Sequence, residues 1–281
     1  MTAQQHNSQP LTPPPHIRRV GMHRPLAWLL LGWHDMRRCG WLSAAQGALL
    51  SAFGAALLVF AHDKFWFLAG SFSGFLVVAP VLATSLYAMS RALEQQRPVD
   101  WLLLRSTWLS WQQSRFSDPT GYWCLVRFGA LLAMAGTGWV LTSAALITLL
   151  APVPIHTPTD FLQHIVLAKK HLVFELWLAM GGVLAAPIFA SSVVAMPLML
   201  DRRCTVLEAV LTSWRVVLAN PAPMALWSGL IMLLVLVGFT TFLLGLVVVL
   251  PVLGHASWHA YRDLVDAQAL PLRAHDPPGS A

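Results

Sequence analysis

From residue 222 to 256 the chain runs for more than 30 residues without an Asp, Glu, Lys or Arg. A hydrocarbon core about 30 Å thick accepts a helix of roughly 20 apolar residues, so this stretch is too long for one ordinary crossing. Gly238, Thr240, Thr241 and Gly245 supply a tight turn inside it, which predicts helices at 222–238 and 242–264. The segments 41–61, 66–90, 122–150 and 172–200 each meet the length of a crossing on their own. The expected fold is therefore an all-α, polytopic membrane protein with six transmembrane helices. Charged residues make up 11% of the chain against about 25% in soluble domains, which excludes a soluble globular enzyme.

The cations fix an orientation. With six crossings the N-terminus, 91–121, 201–221 and the C-terminal tail share one side, and all 15 arginines lie there. The three lysines, Lys64, Lys169 and Lys170, fall on the other side. Short loops rich in Lys and Arg are retained in the cytoplasm, so both termini are expected inside and 151–171 outside. Most Trp residues and all three tyrosines, Tyr87, Tyr122 and Tyr261, collect at the inner end, where aromatic rings favour the headgroup region. No cleavable signal peptide is visible. Residues 1–23 and 267–281 have the composition of disordered tails, bounding a transmembrane domain at 24–266. Cys39, Cys124 and Cys204 fall at the inner face, and no disulfide is expected in a reducing compartment.

A repeat runs through the domain. Gly74/Pro80, Gly181/Pro187 and Gly245/Pro251 have the same spacing, and residues 74–94 match both 181–201 and 245–265 at 8 of 21 positions without gaps. Before each of these hairpins lies a segment mixing Trp, Leu and Arg, beginning at Pro25, Pro98 and Thr205. In the first, Leu26, Leu29, Leu30 and Trp33 recur at helical spacing, leaving Asp35, Arg37 and Arg38 toward the polar side. Such segments read as amphipathic helices in the inner interface, with Arg37, Arg38, Arg202 and Arg203 available to anionic lipid; docking on a partner protein is the alternative. The units are about 24–91, 98–198 and 205–262, three parallel hairpins each preceded by an interfacial helix, related by an axis along the membrane normal. Gly47, Gly54, Gly129, Gly136 and Gly138 suit close helix packing in lipid.

Chemistry is sparse. Each repeat proline frees a carbonyl one turn earlier, so helix kinks are expected at the Gly/Pro pairs. One turn beyond the prolines stand Thr84, Ser191 and His255, with Ser85 and Ser192 adjacent to the first two. If the prolines face the axis, these residues form a polar ring; the alternative is that the hydroxyls bond their own helices. His255 and His259 share a helical face at a spacing that suits metal or haem ligation, or a structural pair at the interface. Glu175 is the one carboxylate inside an apolar segment, with Lys170 and His171 nearby. No P-loop, HExxH or Gly-x-Ser-x-Gly motif is present, so no catalytic residue, metal or cofactor is expected.

The words GFLVVAPVLATSLYAMSRALE at 74–94 and LPVLGHASWHAYR at 250–262 resemble the bacterial predicted integral membrane proteins grouped as domain of unknown function 2189. The resemblance spans about 24–266 and implies the inner membrane of a Gram-negative bacterium, with no established activity. The expectation is a non-enzymatic inner-membrane scaffold or accessory factor that organises lipids or a membrane complex, with no nucleic acid partner. A small transporter or channel with a polar site at the kinks is the alternative, and a haem or metal-binding redox accessory is the third reading.

Overall fold

A computed structural model describes residues 14–61, 83–155, 157–167 and 172–273. It is mostly helical. Helix α1 (Arg24–Cys39) opens with Pro25 in its first turn, where a missing N–H costs nothing. It ends at Gly40, whose φ of 59° and ψ of −130° lie in a region that glycine reaches without steric cost. Helix α2 (Trp41–Ala61) follows at once, bent by 105° from α1. The next described helix, α3, occupies 83–94; Gly74 and Pro80 lie outside the described residues.

Asp100 caps α4 (Trp101–Leu109), its carboxylate accepting from Leu103 N–H at 2.8 Å. Helix α5 (Trp123–Leu150) is followed by a short α6 (Pro158–Phe161) with a π-turn at Leu162–Val166, then by α7 (Val173–Ser192) and α8 (Ala195–Asp201). Helix α9 (Val206–Ala219) starts in a reciprocal capping box between Thr205 and Glu208, which satisfies two otherwise orphaned N–H groups. Helices α10 (Pro221–Thr240) and α11 (Leu246–Leu264) form the last hairpin. The break expected near 238–242 falls at 241–245, where Phe242 and Leu243 adopt positive φ and the Leu243 carbonyl accepts from Ser51 of α2.

Among the described residues three helices, Trp123–Leu150, Val173–Asp201 and Pro221–Thr240, are long and apolar enough to cross a membrane, and a fourth crossing results if the bent α1–α2 pair is one span. The protein is thus polytopic by composition and length. Helix α11 is not among them, and its second half explains why: His255, His259, Arg262 and Asp263 interrupt the apolar run.

The packing centres on α11. A methyl group at Gly32 of α1 would lie 2.5 Å from the Val252 carbonyl, and one at Gly47 of α2 would meet the Val247 carbonyl at 2.1 Å. Only hydrogen at these positions lets both backbones touch α11. By contrast Gly138, expected to serve packing, has nothing within 4 Å of its missing side chain. Trp28, Trp227, Trp258 and Tyr261 are fully buried in the main core, with Trp28 and Trp227 edge to face at 5.6 Å. A two-residue strand β1 (His16–Ile17) pairs antiparallel with β2 (Val265–Asp266), tying the two end segments together.

Candidate functional site

The buried face of α1 carries Pro25, Trp28, Gly32, Asp35 and Cys39, spaced three and four residues apart along one side of the helix. The sequence reading put Asp35 on the polar, outward side; it is buried instead, while Leu26, Leu30 and Trp33 are exposed. The reason is local. The small Gly32 lets the helix settle on α11, and donors from two other helices meet the carboxylate there. Ser90 of α3 donates to Asp35 Oδ2 at 2.7 Å, and His259 of α11 places Nε2 2.8 Å from the same oxygen.

The cluster continues inward. Ser90 Oγ is 2.8 Å from His255 Nδ1, and Ser43 Oγ of α2 is 2.9 Å from His255 Nε2. The single Ser90 proton is committed to the carboxylate, so Ser90 must accept from Nδ1–H, and His255 Nε2 is left to accept from Ser43. Hydrogen-bond polarity therefore fixes one His255 tautomer. His255 and Ser43 are fully buried, and Asp35 and Ser90 nearly so. One turn along α2, Gln46 Oε1 accepts from Ser85 at 2.6 Å. Four helices are thus joined by side chains that the sequence scatters between residues 35 and 259.

A second polar centre lies where α3, α8 and α11 end. Asp201 is buried, accepts from Tyr261 at 2.8 Å, and pairs with Arg91 at 3.2 Å and Arg202 at 3.1 Å. Arg262 bridges Glu94 at 2.8 Å, and Trp258 donates to the same carboxylate at 3.1 Å. Arg273 is also buried, its Nε donating to the Met199 carbonyl at 2.7 Å. Outside the helices, Asp118 pairs with Arg203 at 2.7 Å, and its carboxyl is held below the usual range chiefly by the Thr120 N–H. Burial pushes the Cys204 thiol up to about 12, which keeps it protonated and unreactive.

The structure distributes the sequence candidates unevenly. Thr84 is buried on α3, and His255 sits among Ser43 and Ser90. Ser191 accepts from Trp214 of α9 at 2.9 Å, away from the bonds made by His255. Pro187 and Pro251 lie inside α7 and α11. His255 and His259 do not converge on a common point as ligands: both His255 nitrogens bond serines, and His259 Nε2 faces Asp35. No group of three His, Cys, Asp or Glu among the described residues is arranged to hold a metal ion. Arg37 and Arg38 are exposed, whereas Arg202 bonds Asp201 and the Leu270 carbonyl, and Arg203 bonds Asp118. Glu175 is exposed in the first turn of α7; Lys170 and His171 lie outside the described residues.

Asp35, Ser43, Ser90 and Asp201 were missed as site residues. For Asp35 a signal existed, because Trp28, Gly32, Asp35 and Cys39 form a stripe of large and small residues at helical spacing. Ser43 and Ser90 carry no such signal.

Apolar helices around buried polar joints define an integral membrane protein. Residues 67–201 match the family described as predicted integral membrane protein (DUF2189). The match stops short of 250–262, the word on which the resemblance rested most. Neither the curated proteins nor the solved structures include a match to the chain.

Proposed function

We propose that the protein is a non-enzymatic scaffold or accessory factor of the bacterial inner membrane, whose interfacial helices organise lipids or a membrane complex. One observation carries the reading: three short helices turn apolar stripes outward. They are Leu26, Leu30 and Trp33 on α1, Trp101, Leu102 and Leu109 on α4, and Leu207, Leu211, Trp214 and Leu218 on α9. The opposite face of α9 is Ala209, Thr212, Ser213 and Val216, small or polar residues that fit a bundle interior. The outward stripes fit the acyl boundary of a bilayer, with Arg37 and Arg38 beside them for anionic headgroups.

The six-crossing, three-unit architecture belongs to the same proposal. Pairing of His16 with Asp266 and Ile17 with Val265 supports both ends of the domain lying on one face and an even number of crossings. Contacts between Arg203 and Asp118, and between Arg202 and Leu272, support the arginine-rich loops lying on that face too. By the charge rule it is cytoplasmic. The packing pattern supports the repeat: α1 lies on α11, α9 lies on α7 and α8, and Leu103 and Leu104 of α4 join Leu86 and Met89 of α3. Each interfacial helix leans on the last helix of the preceding unit, as in a closed ring of three.

The experiment is lipid recovery with the full-length protein in mild detergent. Arg37→Gln with Arg38→Gln should reduce retained anionic lipid about tenfold or more, at about 1 kcal/mol per basic group. Unchanged lipid and partner recovery would reduce these residues to topology signals. Cysteine labelling should find position 160 outside and position 270 inside; an external tail would remove the sixth crossing. The transporter reading is kept for one reason, the buried chain of ionisable and hydroxyl groups at Asp35. The haem or metal reading is weakened by the serines that occupy both nitrogens of His255.

A further inference from the structure

Ser43, His255, Ser90, Asp35 and His259 form one unbroken hydrogen-bonded chain, with links of 2.9, 2.8, 2.7 and 2.8 Å. Ionisable side chains buried within a membrane domain are costly to keep. Two of them here, Asp35 and His255, share a single cluster with the half-buried His259, contributed by α1 and α11. The donors all point one way: Ser43 to His255, His255 to Ser90, and Ser90 to Asp35, while His259 reaches the same carboxylate oxygen from the other side. The side chain of His259 is 22% exposed, whereas that of Asp35 is 8% exposed.

We propose that Asp35 is a proton-binding site, that His259 is its entry from the medium, and that Ser43, His255 and Ser90 form a relay that reaches it from deeper in the bundle. The proposal goes beyond the scaffold reading and does not require it. A proton from water adds to Nδ1 of His259 and gives the imidazolium; transfer of Nε2–H to Asp35 Oδ2 then leaves a neutral imidazole and a neutral carboxylic acid. By the inner arm, used in place of the first, Ser43 takes up a proton from water beyond it as it gives its own to His255 Nε2; Nδ1–H then passes to Ser90, and the Ser90 proton passes to Oδ2. By either route one proton arrives at Asp35, and every relay residue keeps the number it began with.

The surroundings suit this task. Cys39, near Asp35 on the same helix and beside Arg38, is a buried thiol. From α2 and α3 the described partners are the hydroxyls of Ser43, Ser85 and Ser90 and the amide of Gln46, none of which titrates. On α11, Asp263 is occupied by Arg24 at 2.6 Å and Trp28 at 2.9 Å. Gln46 Nε2 is a buried donor with no acceptor among the described residues, one turn beyond Ser43 on the same face, so polar character extends past the end of the relay. Protonation has a structural consequence as well. Two donors converge on one oxygen of Asp35, and a proton on that oxygen displaces one of them, loosening α1 from α3 or from α11.

The test is infrared difference spectroscopy of the full-length protein in phosphatidylcholine vesicles after a downward pH step. A protonated-carboxyl band should appear in the wild type and be absent in Asp35→Asn. His259→Gln should keep the band but slow its appearance by at least about a hundredfold, the low end of what a positioned proton-transfer group contributes. Ser90→Ala should keep the band and uncouple it from the His255 imidazole bands. Circular dichroism and size exclusion establish that each variant is folded; Ser90→Thr, which keeps the hydroxyl, should restore the coupling. Absence of any Asp35-dependent band in folded protein would overturn the site. Unchanged uptake in His259→Gln would overturn the entry, and unchanged coupling in Ser90→Ala would overturn the relay.

Discussion

The corner built from α1, α2, α3 and α11 and the hairpin of α5 with α7 are both apolar in sequence, yet they are held together in different ways. In the corner, glycine hydrogens put three backbones in contact, and five polar side chains bond across four helices. In the hairpin, Trp177 donates to Ser143 at 2.5 Å, Trp139 and Trp177 meet at 5.6 Å between ring centroids, and Gly181 makes room for the Trp139 ring. Leu131, Met134, Leu141, Leu178 and Val183 around that contact face outward. Lipid tails are as apolar as Leu, so apolar surface alone does not bring helices together in a bilayer. The corner has polar bonds and backbone contact to fix its geometry, and the hairpin has mainly the fit of a few aromatic rings.

The sharpest way to break this contrast is Gly47→Leu. Its first side-chain carbon would fall on the Val247 carbonyl, and a backbone atom cannot rotate aside. A loss of about 3 kcal/mol or more is expected, at or above the top of the usual overpacking range, and the protein should lose its monodisperse elution in detergent. Normal elution and melting would show that α2 is not seated on α11 as described.

Asp35→Ala comes next. It strands the Ser90 and His259 donors, at roughly 1–3 kcal/mol for each buried group left without a partner. Thermal unfolding in detergent should show a clear drop. The corresponding cut in the hairpin, Trp177→Phe, removes one interhelical bond worth about 0.6 kcal/mol by membrane double-mutant cycles. If it destabilises as much as Asp35→Ala, the two regions are held alike and the contrast fails.

The smallest expected effect is at the loops. Asp118 and Asp266 both have carboxyls held below the usual range, Asp118 mainly by the Thr120 N–H and Asp266 mainly by the Arg18 side chain. A depressed folded-state pKa contributes stability above the unfolded carboxylate range, and that contribution is lost as pH falls through the depressed value. Melting temperature should therefore decline slightly on acidification, and the decline should shrink in Asp118→Asn. Added salt should weaken the effect, because these pairs are exposed. An acid response insensitive to both would move its origin inward, to Asp35.

Several features were legible from residue order because they depend on local composition. Apolar length predicted α5, the α7–α8 run and α10, and the Gly238–Gly245 stretch predicted a break between α10 and α11. The helical spacing of Leu26, Leu29, Leu30 and Trp33 predicted a helix where α1 stands. Which way that helix faces was not legible, because lipid and protein interior are both apolar and a stripe of Leu suits either. Asp35 was misassigned for the same reason. A carboxylate on a short helix reads as solvent-facing until Ser90, 55 residues later, and His259, 224 residues later, are brought against it. The sequence by itself determined that the chain is an apolar, multi-helix membrane protein. Only the tertiary structure decided where its charges go, because a buried ion is tolerable only beside its partners, and those partners come from distant helices.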